Sequence, residues 1–376
     1  MMPKSGHLTT PKSAHLPASR LRKPLAGALA CALVIALVVA LPGCAARPDR
    51  ARMAPAAAIA FDQSLPDVEV ENFEWLDTAR NRAVPARLYL PKGEARLGPA
   101  GPDAGKPVAA NAARQIPLVV FSHGLGGSRY SFSHLGRYWA SQGVASLHLQ
   151  HTGSDREVWS ARGLSLIGTL WAAATTEQAI ARAEDVSFAL DRLLLEPIGI
   201  ARIDAQRIGV AGHSFGANTA LLTSGARFKD GGQVLSYTDP RIKAAVIMSP
   251  PSLPSSYDPA FVYSSITVPT LHLTGTADST PIPGLSTSPE ERRIPFDNMA
   301  ATPRYLGIYQ HGRHAMFNDR SRDADSEAIK ASCRELTLAF WKSVFEGDAA
   351  ATATLARLEK AMSGAAGPLA AWEIKP

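Results

Sequence analysis

The residues best suited to chemistry lie in Gly212-His213-Ser214-Phe215-Gly216, a G-x-S-x-G sequence that follows an apolar run over 207–211. A strand before this motif and a helix after it would expose the Ser214 hydroxyl on a sharp turn. Glycines on both sides avoid a collision between a Cβ atom and the neighbouring strand and helix. The pattern predicts a nucleophilic serine, although the same letters also occur in ordinary Gly/Ser turns.

A carboxylate that could serve this serine follows a later predicted strand. Residues 270–274 form a short apolar run that leads directly into a tight loop carrying Asp278. Serine hydrolase sites on open α/β sheets have the chain order nucleophile, acid, histidine, and Asp278 fits that order. Three other carboxylates fit the order but do not directly follow a strand, which is typical of turn residues: Asp239, Asp258 and Asp297.

The base is expected in the loop after the predicted strand 305–309. His314 is the better candidate, because Gly312 frees the loop to bring it over Ser214, and His311 at the strand end is the alternative. Two further histidines, His148 and His151, are expected to flank the mouth of the site. No H-E-x-x-H or similar spacing indicates a metal ligand set, and we expect no cofactor.

A second glycine-rich stretch, 123–128, follows the predicted strand 118–122. Its glycines allow backbone amides to converge on one point, so we expect the Leu125 amide and the Phe215 amide to stabilise an oxyanion. The alternative is a phosphate-binding loop, but no G-x-x-x-x-G-K-[ST] sequence is present there.

These motifs together resemble the platelet-activating-factor acetylhydrolase and dienelactone-hydrolase-like group of serine esterases. The resemblance spans 68–345 and is carried by 121–127, 212–216 and 314–317. It implies an α/β-hydrolase fold and carboxylic-ester hydrolysis. Two features depart from the group: Ala217 replaces a second glycine, and 249–252 carries no acid where the acetylhydrolases have theirs. Dienelactone hydrolases proper use cysteine where this chain has serine.

The order of predicted elements fits an α/β class, with a mostly parallel doubly wound sheet preceded by an antiparallel hairpin. We expect the hairpin over 68–75 and 83–90, a long exposed loop over 91–117 and a hydrolase domain over 67–347. An alanine-rich tail of uncertain order follows over 348–376. The remaining predicted elements are strands 144–150 and 242–248 and helices 132–142, 176–194, 218–224 and 326–345.

The N-terminus has the pattern of an export signal. Five cations precede the apolar run 25–43, which ends at Leu41-Pro42-Gly43-Cys44, similar to a bacterial lipobox. We expect a signal peptide over 1–43, lipid on Cys44, a linker over 44–66 and attachment to the outer membrane or cell surface. An uncleaved anchor is the alternative. The net charge of +6 is concentrated in this segment, so nucleic acid is excluded as a partner.

The expected activity is hydrolysis of neutral or lipid-like esters with short to medium acyl chains. The alternatives are an inactive hydrolase-fold scaffold lipoprotein, or a peptidase or acyltransferase on the same triad. An insertion between the strand 144–150 and the helix 176–194 places Leu164, Ile167 and Trp171 at helical spacing, with Trp159 and Leu170 nearby. This face could cover Ser214 as a cap or pack on the body of the domain.

Overall fold

The computed structural model describes residues 67–92, 115–161, 164–230, 232–280, 282–300, 303–361 and 367–375. The predicted signal peptide 1–43, Cys44, the linker 44–66 and most of the predicted loop 91–117 lie outside these residues. Across the described ranges, no helix is both long and apolar enough to cross a membrane.

A mixed, mostly parallel sheet forms the centre of the fold. Its order is β1-β2-β4-β3-β5-β8-β9-β10-β11, and β6 pairs separately with β7. The neighbours from β4 to β10 are parallel, whereas β1 with β2, β2 with β4, and β10 with β11 are antiparallel. The strands are β1 (Glu69–Asp77), β2 (Arg82–Leu90), β3 (Ile116–Ser122), β4 (Ala145–Leu149), β5 (Ile203–His213), β6 (Arg227–Asp230), β7 (Gln233–Ser236), β8 (Ile242–Met248), β9 (Thr270–Gly275), β10 (Arg304–Tyr309) and β11 (Leu369–Lys375).

Helices cover both faces of the sheet. One hydrophobic cluster joins Leu190 of α3 to Leu221 of α5, and the other joins Trp139 of α1 to Trp341 of α8. The α/β-hydrolase class, the parallel sheet and the N-terminal hairpin predicted from the sequence are confirmed. The helices are α1 (Ser133–Ser141), α2 (Leu164–Ala173), α3 (Thr176–Leu193), α4 (Pro197–Arg202), α5 (Phe215–Ser224), α6 (Pro259–Tyr263), α7 (Ile294–Asn298), α8 (Ala324–Glu346) and α9 (Ala349–Ala361).

Segment 348–376, set apart in the sequence as a tail, contributes two ordered elements. Helix α9 follows α8, and β11 pairs antiparallel with β10 at the edge of the sheet. Trp372 is buried there, with its ring centroid 5.9 Å from that of Tyr305. The fold therefore extends past the predicted boundary at 347, because one buried tryptophan fixes an otherwise alanine-rich strand on the sheet.

The central strands are buried, and the loops that follow them meet at one edge of the sheet. All seven residues of β3 are buried, as are all six of β9, which is typical of parallel strands covered by helices on both faces. The loops after β3, β5, β9 and β10 all leave the carboxyl edge of this parallel sheet. That edge is where ligands bind in open α/β sheets.

Candidate active site

Ser214 occupies a strained turn between β5 and α5. Its φ of 57° and ψ of −123° lie in a region that side-chain-bearing residues rarely adopt. A Cβ on Gly212 would come within 2.0 Å of the Gly216 carbonyl oxygen, and a Cβ on Gly216 within 1.9 Å of the Ser122 carbonyl oxygen. Both flanking positions of the motif therefore require glycine on steric grounds.

Asp278 and His314 are brought together by the loops after β9 and β10. His314 Nδ1 lies 2.8 Å from Asp278 Oδ1, and Thr274 Oγ1 donates a hydrogen bond of 2.8 Å to Asp278 Oδ2. An ionised carboxylate only accepts, so the His314 proton sits on Nδ1 and Nε2 is left to act as a base. Burial raises the pKa of the Asp278 carboxyl, but the hydrogen bond from His314 and the positive charge of Arg292 outweigh it and lower the pKa to about 2.

Arg292 holds the backbone around Asp278 in place. This residue was not predicted from the sequence. Its guanidinium is fully buried and donates to the carbonyl oxygens of Asp278, Ser249 and Pro250 at 3.1, 3.0 and 2.6 Å. Arg292 lies in a short 3₁₀ helix 14 residues after Asp278. No local pattern marks it, because an arginine in a charged segment such as Glu290–Arg293 is normally a surface residue.

Ser214 and His314 line one open pocket of about 310 Å³. Among the described residues no hydrogen bond joins Ser214 Oγ to the His314 ring. The structure therefore brings the two residues to one pocket without closing their contact, and such contacts commonly tighten only when substrate binds. The pocket is lined by Gly124, Leu125, Gly126, Gly127, Ser128, Tyr130, Ser131, Phe132, His213, Ser214, His314, Asn318, Asp319 and Arg320.

The glycine-rich loop lies against the elbow. A Cβ on Gly124 would be 3.2 Å from Ser214 Cβ, so the loop passes directly over the serine. Leu125 lines the pocket, and Phe215 is the first residue of α5, where backbone N–H groups have no acceptor within the helix. Both amides predicted to hold an oxyanion therefore belong to residues next to Ser214.

The competing acids serve other contacts. Asp239 accepts hydrogen bonds from Arg241, and Asp258 caps the N-terminus of α6. Asp297 pairs with Arg293. The competing base, His311, is exposed, and it is not among the residues that line the pocket.

Other histidines make hydrogen bonds within the fold. His213 Nε2 lies 3.1 Å from the His314 carbonyl oxygen, which ties the elbow to the loop that carries the base. The expectation that His148 and His151 flank the mouth is wrong, because both side chains are fully buried. His148 contacts the Ser131 carbonyl oxygen and the Ser146 hydroxyl from within β4.

Helix α2 packs beside the pocket. Its buried residues are Leu170 and Ala173, which cluster with Val158 and with the pocket residue Leu125. The predicted face was therefore only partly right: Trp171 is half exposed, and the side chain of Leu164 lies outside the described part of the chain. No described residue of α2 lines the pocket.

Two family models match parts of the chain. Residues 98–160 match platelet-activating factor acetylhydrolase, isoform II, and residues 202–287 match serine hydrolase (FSH1). The first match contains the glycine-rich loop, and the second contains Ser214 and Asp278. The chain resembles the α/β-hydrolase serine esterases. No curated protein matches it.

For a serine esterase of this type, the pocket supplies three kinds of group. A strained serine offers a nucleophile, a carboxylate-bound imidazole offers a base, and amides at a helix start and a glycine-rich loop offer hydrogen-bond donors. The family matches indicate esterase-type hydrolase chemistry, and His314 lies beyond both matched ranges.

Proposed function

We propose that the chain is a serine carboxylic-ester hydrolase in which Ser214, His314 and Asp278 act through an acyl-enzyme. The observation that carries the proposal is the Asp278–His314 hydrogen bond in the loop beside the strained Ser214 turn. His314 Nε2 takes the Ser214 proton as Oγ bonds to the ester carbonyl carbon. The carbonyl oxygen becomes an oxyanion that accepts from the Leu125 and Phe215 amides.

Collapse of this tetrahedral intermediate breaks the bond to the alcohol oxygen, which receives the proton from His314. Water then attacks the acyl-enzyme with His314 again as the base, and the acid product leaves while Ser214 regains its proton. Asp278 keeps the imidazole in one tautomer and stabilises its charged form.

The proposed substrates are neutral or lipid-like esters with short to medium acyl chains. A pocket of about 310 Å³ is at the small end of ligand sites. Leu125, Tyr130 and Phe132 give it apolar surface, while Asp319 and Arg320 carry opposite charges at the same pocket. A mixed lining of this kind suits an uncharged ester better than a multiply charged one.

Covalent labelling with a fluorophosphonate probe tests the nucleophile. We expect wild-type protein to label and Ser214→Ala to lose the label, because the probe reacts only with an activated hydroxyl. Ser236→Ala, which alters an exposed serine in β7, is the control and should label like wild type. Equal labelling of wild type and Ser214→Ala would disprove the assignment.

We further propose that Cys44 carries lipid and holds the mature protein at the membrane. The lipobox-like sequence 41–44 after an apolar run supports this placement. Wild-type protein should fractionate with membranes, and Cys44→Ser should lose that attachment. Cys44→Ser protein that stays in membranes and retains 25–43 would show an uncleaved anchor instead.

A further inference from the structure

Arg182 is a buried cation beneath the glycine-rich loop. The side chain comes from α3, is 0% exposed and uses all three of its nitrogen atoms. Nε donates to Thr219 Oγ1 at 3.1 Å, Nη1 to Ser154 Oγ at 2.9 Å, and Nη2 to Ser122 Oγ at 3.2 Å and to the His123 carbonyl oxygen. A fully buried arginine is rare unless its charge and its hydrogen-bond donors are paired.

Two partners of Arg182, His123 and Thr219, lie in the segments that carry the proposed oxyanion amides. His123 is two residues before Leu125, and Thr219 lies one turn after Phe215, the first residue of α5. The guanidinium carbon also lies 4.6 Å from the centroid of the Phe215 ring. One side chain therefore connects the two halves of the oxyanion hole.

The glycine-rich loop is also held by the segment after β4. Gly126 N–H donates to the Ser154 carbonyl oxygen at 3.0 Å, and Trp159 Nε1 donates to the Gly126 carbonyl oxygen at 2.8 Å. Ser154 contacts Gly126 through its backbone and Arg182 through its hydroxyl. The loop is thus fixed by Arg182 and by the segment after β4, and Ser154 links the two.

A buried relay orients the acceptors that face Arg182. His151 Nδ1 lies 2.9 Å from Asp185 Oδ2, and its Nε2 lies 2.9 Å from Ser122 Oγ. With the His151 proton directed to the carboxylate, Nε2 accepts the Ser122 hydroxyl proton, and a Ser122 lone pair is left for Arg182. Ser122, His151 and Asp185 are 0% exposed, so this second serine, histidine and aspartate set cannot meet a substrate.

The Arg182 guanidinium remains positively charged at neutral pH. Burial lowers its pKa to about 9, and the nearby Asp185 carboxylate acts in the opposite direction. A positive charge therefore persists next to the loop and the start of α5 at neutral pH.

We propose that Arg182 is a positioning residue that holds the Leu125 and Phe215 amides at the spacing needed by the tetrahedral oxyanion. This inference rests on the proposed esterase function. Because the amides meet full negative charge only in the transition state, loss of their alignment lowers kcat and leaves KM nearly unchanged.

Steady-state kinetics with p-nitrophenyl butyrate and inhibition by a trifluoromethyl ketone test the inference. The ketone forms a tetrahedral adduct with the serine, so its affinity reports on the oxyanion hole. We expect Arg182→Met to lower kcat by about 10²- to 10³-fold at nearly constant KM and to weaken the ketone by a similar factor. Arg182→Lys should restore part of the loss, since an ammonium can replace some of the donors.

Two further variants separate positioning from stability. Arg241→Met removes ion pairs to Asp239 and to Asp191, which is near the C-terminal end of α3, so it should lower Tm while kcat per active site stays near wild type. If Arg182→Met does not fold, Ser154→Ala removes the hydroxyl that accepts from Arg182 Nη1 and donates to the His151 carbonyl oxygen, and it should lower kcat about tenfold at constant KM.

The outcomes are distinguishable. A wild-type protein without Ser214-dependent activity would overturn the proposed function and the inference with it. Active wild type with unchanged kcat and ketone affinity in folded Arg182→Met or in Ser154→Ala would overturn the inference alone. A loss of kcat that disappears when rates are divided by titrated active sites would also overturn it, because it would reflect stability only.

Discussion

Ser214 is held in a conformation that costs free energy, and its neighbours compensate for that cost. A side-chain-bearing residue with φ of 57° and ψ of −123° carries strain of order 1–3 kcal/mol. The Ser214 N–H donates to the Met248 carbonyl oxygen at 2.9 Å, which ties the turn to β8. The hydroxyl is thereby presented at the sheet edge by backbone constraints.

His314 is the proposed base, and its loss should abolish turnover. We expect His314→Ala to lower kcat by about 10⁴-fold or more, because no other described imidazole bound to a carboxylate lines the pocket. The side chain is 23% exposed, so the variant should fold with a Tm near wild type. Ester hydrolysis and thermal melts of the same preparations measure both effects.

His311→Ala is the matched control for this prediction. His311 lies three residues earlier in the same loop, is exposed and does not line the pocket. Its kcat should stay near wild type. An inactive His311→Ala together with an active His314→Ala would reverse the assignment of the base.

The sequence allowed residues with local signatures to be predicted, and it did not allow residues with distant partners to be predicted. Ser214 stands in a motif, and Asp278 and His314 follow recognisable strands. Arg182 lies 59 residues from His123, whose carbonyl oxygen it contacts, and 37 from Thr219. Arg292 lies 42 residues from Pro250. Such pairings depend on how the loops pack, which strand and helix patterns do not specify.

Helices and strands were likewise predictable only where the local sequence pattern is strong. Strand β8 was predicted with its observed bounds because a continuous apolar run leaves little choice. Strand β11 was missed because only one of its residues, Trp372, is buried. The short β6–β7 hairpin was also missed, since each strand has only four residues and each residue is half buried or exposed.

Helix α2 illustrates how an element can border a site without lining it. The Trp171 indole donates to the Pro283 carbonyl oxygen at 2.6 Å, and the buried face of α2 contacts Leu125. Its contribution to the pocket is therefore indirect, through Leu125, whose amide is one of the two proposed oxyanion donors. These contacts favour packing over a cap.

The acyl-chain preference of the enzyme distinguishes a packing role of α2 from a role as a cap. Tyr130 lines the pocket, so Tyr130→Ala should enlarge it and shift the preference towards longer chains. Trp171→Ala should leave the preference unchanged and lower Tm slightly, because it removes only an outer contact. A p-nitrophenyl ester series from acetate to palmitate measures both variants. A changed preference in Trp171→Ala would make α2 a cap.

At the scale of the whole molecule, charge connects the N-terminal hairpin to the interior. Asp185 is fully buried and accepts from Arg82 at 2.7 and 2.9 Å and from Arg80 at 3.0 Å. Burial raises the pKa of Asp185, but hydrogen bonds from His151 and Arg82 outweigh it and lower the pKa to about 2. The hairpin and the relay beneath the glycine-rich loop therefore share one carboxylate.

Buried histidines give the fold a common dependence on pH. Burial lowers the pKa of His134, His148 and His151 to about 4 and that of His272 to about 3. It also lowers the pKa of His123 and of His213 well below the usual range. Each of these six side chains is neutral inside the folded protein at pH 7 and exposed to protonation once the chain unfolds.

The sign of the effect follows from proton binding. Between the unfolded pKa of about 6.5 and the lower folded pKa, a histidine binds fewer protons in the folded state than in the unfolded state. Its contribution to stability is therefore complete above pH 6.5 and decreases as the pH falls towards 4. Asp185 and Asp278 act in a separate window, since their contribution is complete above about 3.8 and is lost as the pH falls towards 2.

We therefore expect Tm to be nearly constant above pH 6.5 and to fall steeply between pH 6.5 and 4, with each histidine contributing on the order of 1 kcal/mol per pH unit. His272→Leu should flatten the slope, because neither His272 ring nitrogen has a hydrogen-bond partner among the described residues and leucine fits a buried site. The exposed His311→Ala should leave the curve unchanged. Differential scanning calorimetry from pH 8 to 4 measures all three proteins, and a wild-type Tm that does not fall between pH 6.5 and 4 would contradict the neutral, buried state of these histidines.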